Sequence, residues 1–297
     1  TPEKYHDMYR QSLEDPETFW SQQASDFLFW DKIWQSVCES DLSRGHARWF
    51  DGGKLNASVN CIDRHLPACA DQTAILWEGD DPRESLQITY QMLKGEVCRL
   101  ANVMHDRGLR AGDRVCIYMP MVPETVAAML ACARIGAIHS VVFGGFAPKE
   151  LAMRIDDANP KVMLAASCGI EGDRVIAYQP LLNDAIDLAA HEPDHVVMLQ
   201  RPQCEATLAA PRDNDWLTWE GEALPVDCVP VKATDPLYVL YTSGTTGRPK
   251  GIVRDNGGHA VALNYSMSAV YGVGVGDVYW AASDVGWVVG HSYICLL

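Results

Sequence analysis

The sequence predicts an α/β fold of parallel, helix-covered sheets, and three observations predict it. Residues 114–119, 137–143, 162–166 and 195–199 are apolar runs without the polar alternation of a half-solvated strand. Segments whose apolar residues recur at helical spacing separate them, as in β-α-β units. A hydroxyl- and glycine-rich loop at 241–251 follows a further apolar run, 237–240, at the position beyond a strand's carboxyl end where open α/β sheets bind ligands.

Asp15 followed by Pro16 predicts a helix start, with Asp15 as N-cap and Pro16 in the first helical position. Residues 1–85 read as an irregular, aromatic-rich lead-in packed on a main body at 86–297. Trp20, Trp30, Trp34 and Trp49 read as packing residues, since no dense basic residues interleave with them as on a base-stacking surface. From Thr89 onward Leu93, Val97, Leu100 and Met104 share one helical face, Gly108 caps that helix, and 114–119 is the first buried strand. Pro123 opens a second helix, which Gly136 ends before the strand at 137–143. Helices at 149–157 and 181–190 precede the strands at 162–166 and 195–199. Residues 200–236, with five prolines, read as a surface excursion. A helix at 258–270 and a strand at 278–281 follow the loop.

At 297 residues and 48% hydrophobic, the chain can bury a sizeable core. A formal charge of -15 argues against nucleic acid or an anionic membrane as partner, and points to small molecules that find local positive charge. The ten cysteines include no C-x-x-C pair and no zinc spacing, so they read as reduced thiols of a reducing compartment, cytoplasmic or, in a eukaryote, the mitochondrial matrix. No stretch is apolar for long enough to span a bilayer. The last residues, 293–297, form an apolar run with no cap or polar tail, which suggests a piece of a longer protein.

The loop reads Tyr241-Thr242-Ser243-Gly244-Thr245-Thr246-Gly247-Arg248-Pro249-Lys250-Gly251. Glycines let the backbone approach a ligand, while hydroxyls, free N–H groups and the lysine ammonium donate to phosphate oxygens. A Walker-type loop is excluded by spacing: Pro249 stands five positions after Gly244, and Gly251 rather than a hydroxyl residue follows Lys250.

At every fixed position this loop resembles the adenylate-forming superfamily signature [ST]-S-G-[ST]-T-G-x-P-K-G. Further stretches, 77–81, 118–121, 144–146 and 282–293, are similar to the acetyl- and propionyl-CoA synthetase branch, and the similarity runs along essentially the whole chain. Arg254-Asp255 and Val289 lean towards the propionate enzymes. The 77–81 stretch leans towards the acetate enzymes.

The resemblance implies the large N-terminal domain of adenylate-forming enzymes, incomplete here and without the small C-terminal domain. It implies an AMP-forming ligase: a short-chain carboxylate, propionate or acetate, reacts with ATP to give acyl-adenylate and pyrophosphate, and CoA then takes the acyl group. Thr242 and Lys250 would be catalytic, and Thr242, Ser243, Gly244, Thr245, Thr246, Gly247 and Lys250 would hold the ATP phosphates, with Mg2+ carried on those phosphates. Trp287, Val288 and Val289 would line the acyl pocket. CoA would contact Phe143, Gly144, Gly145, Glu171, Gly172, Asp173, Arg174 and Val289. Many acetate enzymes have arginine at the position of Glu171, so that residue reads as solvent-facing or as a partner of Arg174. Asp284 reads as a loop cap and His291 as a satisfied structural histidine. Residues 1–297 alone are expected not to complete the reaction. The alternative is a non-catalytic module that binds nucleotide or acyl groups.

Overall fold

The computed structural model describes residues 1–81, 83–219, 226–242 and 249–296. Pro2–Glu14 (α1) and Pro16–Phe27 (α2) open the chain, and the Asp15 carboxylate between them accepts from the Thr18 N–H at 3.2 Å as the N-cap. A hairpin of Ser36–Asp41 (β1) and His46–Asp51 (β2), the strand Lys54–Leu55 (β3), and the helices Ala57–Cys61 (α3) and Leu66–Cys69 (α4) come next. They lead to a second hairpin, Thr73–Glu78 (β4) with Ser85–Thr89 (β5). Trp20, Trp30, Trp34 and Trp49 pack around buried Phe50, Leu55 and Val261 in one apolar cluster, which is a packing role.

Asn56 ties this region to the rest of the chain. Its side-chain oxygen caps α3 through the Val59 N–H at 3.2 Å, and its amide faces the carbonyls of Ala133, Arg134 and Val229 at 2.9, 3.1 and 2.9 Å. It is 1% exposed, so no water can replace these partners. Asn56→Ala is expected to lower stability by about 2–3 kcal/mol, read as a shifted urea midpoint with unchanged slope.

Tyr90–Asp106 (α5) buries Leu93, Val97, Leu100 and Met104, and Gly108 follows at φ +92°. Then come Arg114–Tyr118 (β6), Pro123–Arg134 (α6), Ile138–Val141 (β7), Pro148–Ala158 (α7) and Val162–Ala166 (β8). The hairpin Cys168–Glu171 (β9) and Arg174–Ala177 (β10), the helix Tyr178–Leu188 (α8), and His195–Leu199 (β11) continue the chain. Asp213–Asp215 (β12), Trp216–Trp219 (α9), Val231–Lys232 (β13), Pro236–Thr242 (β14), Lys250–Asp255 (β15), Gly257–Ser266 (α10) and Val288–Gly290 (α11) complete it.

Seven strands form one sheet in the order β12-β11-β8-β6-β7-β14-β15. Its interior explains the missing alternation. Along β8, Val162, Leu164 and Ala166 enter one core with α5 and α6, while Met163 and Ala165 enter the other with α7 and α8. Both faces are dry, so both sets are apolar. β7 and β8 lie on opposite sides of β6, which makes the carboxyl edge there a topological switch point of the kind that binds ligands.

The structure corrects the sequence reading in four places. The sheet is parallel except at its edge, where β15 runs antiparallel to β14; Lys250 to Arg254 are exposed, so no buried run announced this strand. The segment 200–236 is more than a surface excursion, because β12 pairs with β11 and Trp216 and Trp219 are buried behind it. Residues 278–281 form no strand: Val278 and Trp280 are 79% and 84% exposed, and among the described residues no ladder partner pairs with them. The helix expected to 270 keeps α geometry only to Ser266 and widens to a π turn over Met267–Tyr271, closed by Gly272 at φ +66°. The cysteines are free thiols, Cys116, Cys132, Cys168 and Cys295 buried and Cys38 exposed. Burial pushes the thiols of Cys61 and Cys116 up to about 12, which makes them poor nucleophiles.

Candidate functional site

The loop that suggested phosphate binding connects β14 to β15 in the sequence. Ser243, Gly244, Thr245, Thr246 and Gly247, together with Arg248, lie outside the described residues, but both stems are defined. Thr242 ends β14 and pairs across the ladder with Lys250, so the first hydroxyl and the ammonium stand opposite each other, Thr242 half-buried and Lys250 exposed. The stem is anchored below: the Tyr241 hydroxyl donates to Asp157 Oδ2 at 2.6 Å, and the Arg154 guanidinium lies 4.8 Å over the Phe146 ring and 5.6 Å from the Tyr241 ring.

β14 also fixes where this stem sits relative to Phe143, Gly144 and Gly145. Tyr238 on β14 is level with His139 on parallel β7. Four residues after that pair come Thr242, the last residue of β14, and Phe143, two residues beyond the end of β7, both at the carboxyl end of these parallel strands. Gly144 packs against Tyr178, the first residue of α8, so closely that a Cβ there would overlap the Tyr178 hydroxyl, and the same holds at Gly169. A carboxylate oxygen of Glu171 lies 3.5 Å from where a Cβ at Gly145 would stand. Glu171, Gly172, Asp173 and Arg174 form the exposed turn of the β9–β10 hairpin, with Arg174 Nη2 3.1 Å from Glu171 Oε2. Glu171 thus partners Arg174 and puts a negative charge where a phosphate would need a positive one. Burial, with Glu171 and Asp284 adding, pushes the Tyr178 phenol up to about 12, so it stays protonated at neutral pH.

Trp287, Val288 and Val289 project from the turn leading into α11 and are 53%, 44% and 51% exposed, so Trp287 is not a core aromatic. Its ring centroid lies 6.1 Å from that of Phe143, which joins the acyl-pocket candidates to the CoA candidates. The turn is capped as expected: Asp284 Oδ1 accepts from the Gly286 N–H at 2.6 Å and the Asp284 carbonyl from the Trp287 N–H at 2.9 Å. Gly290 packs on the same residue, where a Cβ would overlap the Asp284 carbonyl oxygen. Met121 joins three distant stretches, since its carbonyl accepts from Trp77 Nε1 at 2.8 Å and its sulfur from the Val285 N–H at 3.3 Å. Sequence reading assigned no role to Met121, Tyr178 or His139.

Beneath the edge lies a buried group of titratable rings. His139 and His291 meet Nε2 to Nε2 at 3.0 Å, both 0% exposed, and the Tyr238 hydroxyl reaches His259 Nε2 at 3.1 Å and Ser292 Oγ at 3.5 Å. Burial lowers His291 to about 4, His259 to about 3 with Arg254 and His291 adding, and His139 well below its ordinary value. They are neutral in the fold at pH 7, and both ring nitrogens of His291 are engaged inside the protein, by the Val285 carbonyl and by His139. Unfolded imidazoles take up protons below about 6.5, whereas these do not, so stability is complete above that pH and is lost as pH falls towards 4. Each histidine contributes a slope of up to about 1.4 kcal/mol per pH unit. The carboxyls of Asp255 and Asp284, raised by burial, act in the opposite sense. The expected result is therefore comparative: His259→Gln flattens the fall of the urea midpoint between pH 6.5 and 4.5 relative to the unsubstituted chain.

Among the described residues no group of three or more His, Cys, Asp or Glu could hold a metal ion, and no helix is long and apolar enough to cross a membrane.

The fold is thus a mostly parallel, helix-covered α/β sheet with one antiparallel strand pair, β14 and β15, at its edge. A family model described as AMP-binding enzyme matches residues 62–297, and one described as acetyl-coenzyme A synthetase N-terminus matches residues 5–61. The chain belongs to the AMP-binding enzyme family. It is 48% identical to acetyl-coenzyme A synthetase of Saccharophagus degradans over 98% of this chain and 45% of that protein. It is 47% identical to the mitochondrial acyl-CoA synthetase short-chain family member 3 of Homo sapiens over 98% of this chain and 43% of that protein. Among solved structures, acetoacetyl-CoA synthetase from Streptomyces lividans superposes with a TM-score of 0.86 at 25% identity, covering 95% of this chain and 43% of that one. The chain thus spans less than half the length of these relatives.

Proposed function

We propose that this chain is the N-terminal part of an AMP-forming short-chain acyl-CoA ligase, with Thr242, the hydroxyls of the following loop and Lys250 holding the triphosphate of ATP. The observation that carries this reading is the placement of Thr242 opposite Lys250 on the sheet edge beside Phe143 and Gly144. A carboxylate oxygen attacks the α-phosphorus, the bond to the pyrophosphate oxygen breaks, and the acyl-adenylate forms. A CoA thiolate then attacks the acyl carbon and AMP leaves. Phosphoryl-type transfer of this kind depends on positioning and charge stabilisation, which suits a site of hydroxyls, N–H groups and one ammonium. Magnesium would accompany ATP on its phosphate oxygens and neutralise part of their charge. Trp287, Val288 and Val289 bound the acyl site, and the segments 143–145 and 171–174 receive CoA.

Propionate is the favoured acid, since Val289 and Arg254-Asp255 match the propionate branch. The test is carboxylate-dependent exchange of labelled pyrophosphate into ATP by the full-length protein, with C2, C3 and C4 acids compared by kcat/KM. A highest value for the C3 acid supports the reading. No exchange with any of the three overturns it.

A further inference from the structure

Two buried imidazoles that the reaction does not use stand directly beneath the Trp287 turn. The His291 ring lies in contact with three elements. Its Nδ1 is 2.8 Å from the Val285 carbonyl, its Nε2 is 3.0 Å from His139 Nε2, and the Tyr238 ring centroid lies 4.1 Å away. A carbonyl can only accept, so His291 carries its proton on Nδ1 and offers a lone pair at Nε2. His139 therefore donates from Nε2, and its own Nδ1 is left as a buried lone pair with no partner. That orphan atom is a cost which an apolar residue at 139 would avoid. The retained benefit is directional: a donor fixed on the central strand β7 is aimed at one nitrogen of one ring.

That ring closes the segment carrying Trp287. The His291 side chain takes the Val285 carbonyl, and the His291 N–H takes the Trp287 carbonyl at 2.8 Å. The turn between them is thereby held at both ends by one residue, and that residue is held by His139. The two rings are nearly parallel, with centroids 5.0 Å apart and an interplanar angle of 16°, which is the edge-to-edge arrangement that a hydrogen bond in the ring plane needs. β7 ends at Val141, two residues before Phe143, so the clamp and one wall of the site belong to the same short run of chain.

We propose that His139 and His291 are positioning residues: a neutral imidazole pair that fixes the Trp287–Val289 segment relative to the sheet and thereby sets which acyl chains are accepted. This rests on the reading that the segment lines the acyl pocket. A pocket rejects an extra methylene by only about 10- to 200-fold, so a wall released by a fraction of an ångström gives that discrimination away.

Paired substitutions in the full-length protein test it. Gln at 139 places an amide N–H near the position of Nε2 and preserves the donor, whereas Leu at 139 preserves bulk and loses it. The ratio of kcat/KM for the C3 acid to that for the C5 acid is expected to fall about 10-fold or more in His139→Leu and to recover to within about 3-fold in His139→Gln. In protein labelled with 5-fluorotryptophan, the Trp287 19F resonance, assigned by its loss in Trp287→Gly, is expected to move in His139→Leu and return in His139→Gln. His291→Asn, which keeps a donor for Val285 but loses His139, gives the Leu result by a second route and serves where His139→Leu does not fold. A resonance and a ratio unchanged in folded His139→Leu or His291→Asn overturn the proposal, as do equal losses in His139→Leu and His139→Gln, which mark plain packing. A resonance that moves while neither His139→Leu nor Trp287→Gly changes the ratio keeps the clamp and removes the segment from the acyl pocket.

Discussion

Replacing Lys250 by alanine in the full-length protein is expected to lower carboxylate-dependent ATP–pyrophosphate exchange by about 10²- to 10³-fold, the loss usual for one preorganised donor to a developing charge. The side chain is exposed on an edge strand and makes no described contact that holds the fold, so the thermal midpoint should be unchanged. A uniform rise in the KM for ATP with kcat intact would show that Lys250 only binds the ground state. An unchanged exchange rate would remove it from the site altogether.

Trp287→Gly should shift selectivity towards longer acids. The indole is 53% exposed and touches Phe143 at a ring separation of 6.1 Å, so its loss opens space at the sheet edge without hollowing the core. Longer acids should gain: kcat/KM for a C5 or C6 acid relative to the C3 acid is expected to rise about 10- to 200-fold, the worth of one or more methylenes in an apolar pocket. The measurement is a chain-length series at fixed ATP and CoA. A flat response would mean that the indole faces solvent for another reason and that the pocket lies elsewhere.

The central strands were legible because their physics is written into single residues. β8 buries Met163 and Ala165 on one side and Val162, Leu164 and Ala166 on the other, and only a strand dry on both faces has such a composition. β15 was not legible, since an exposed edge strand from Lys250 to Arg254 has no hydrophobic pattern to betray it. Residues 278–281 misled for the converse reason: strand-forming side chains without a partner ladder remain irregular. In the site, the phosphate-loop residues announce themselves by type and spacing. Met121, Tyr178 and His139 do not, because their roles arise from contacts across the chain; Met121 meets Trp77 and Val285 at separations of 44 and 164 residues. No local signal encodes such meetings.

The pairing of Tyr238 with His139 makes β14 a ruler. One residue added between that pair and Thr242 would carry Thr242 outward by about 3.3 Å and turn its side chain to the opposite face. For the proposed chemistry, the length of this strand is therefore as much a determinant as the residue at its end: a chain of identical motif with its measure altered by one would offer Thr242 to the wrong side of the sheet.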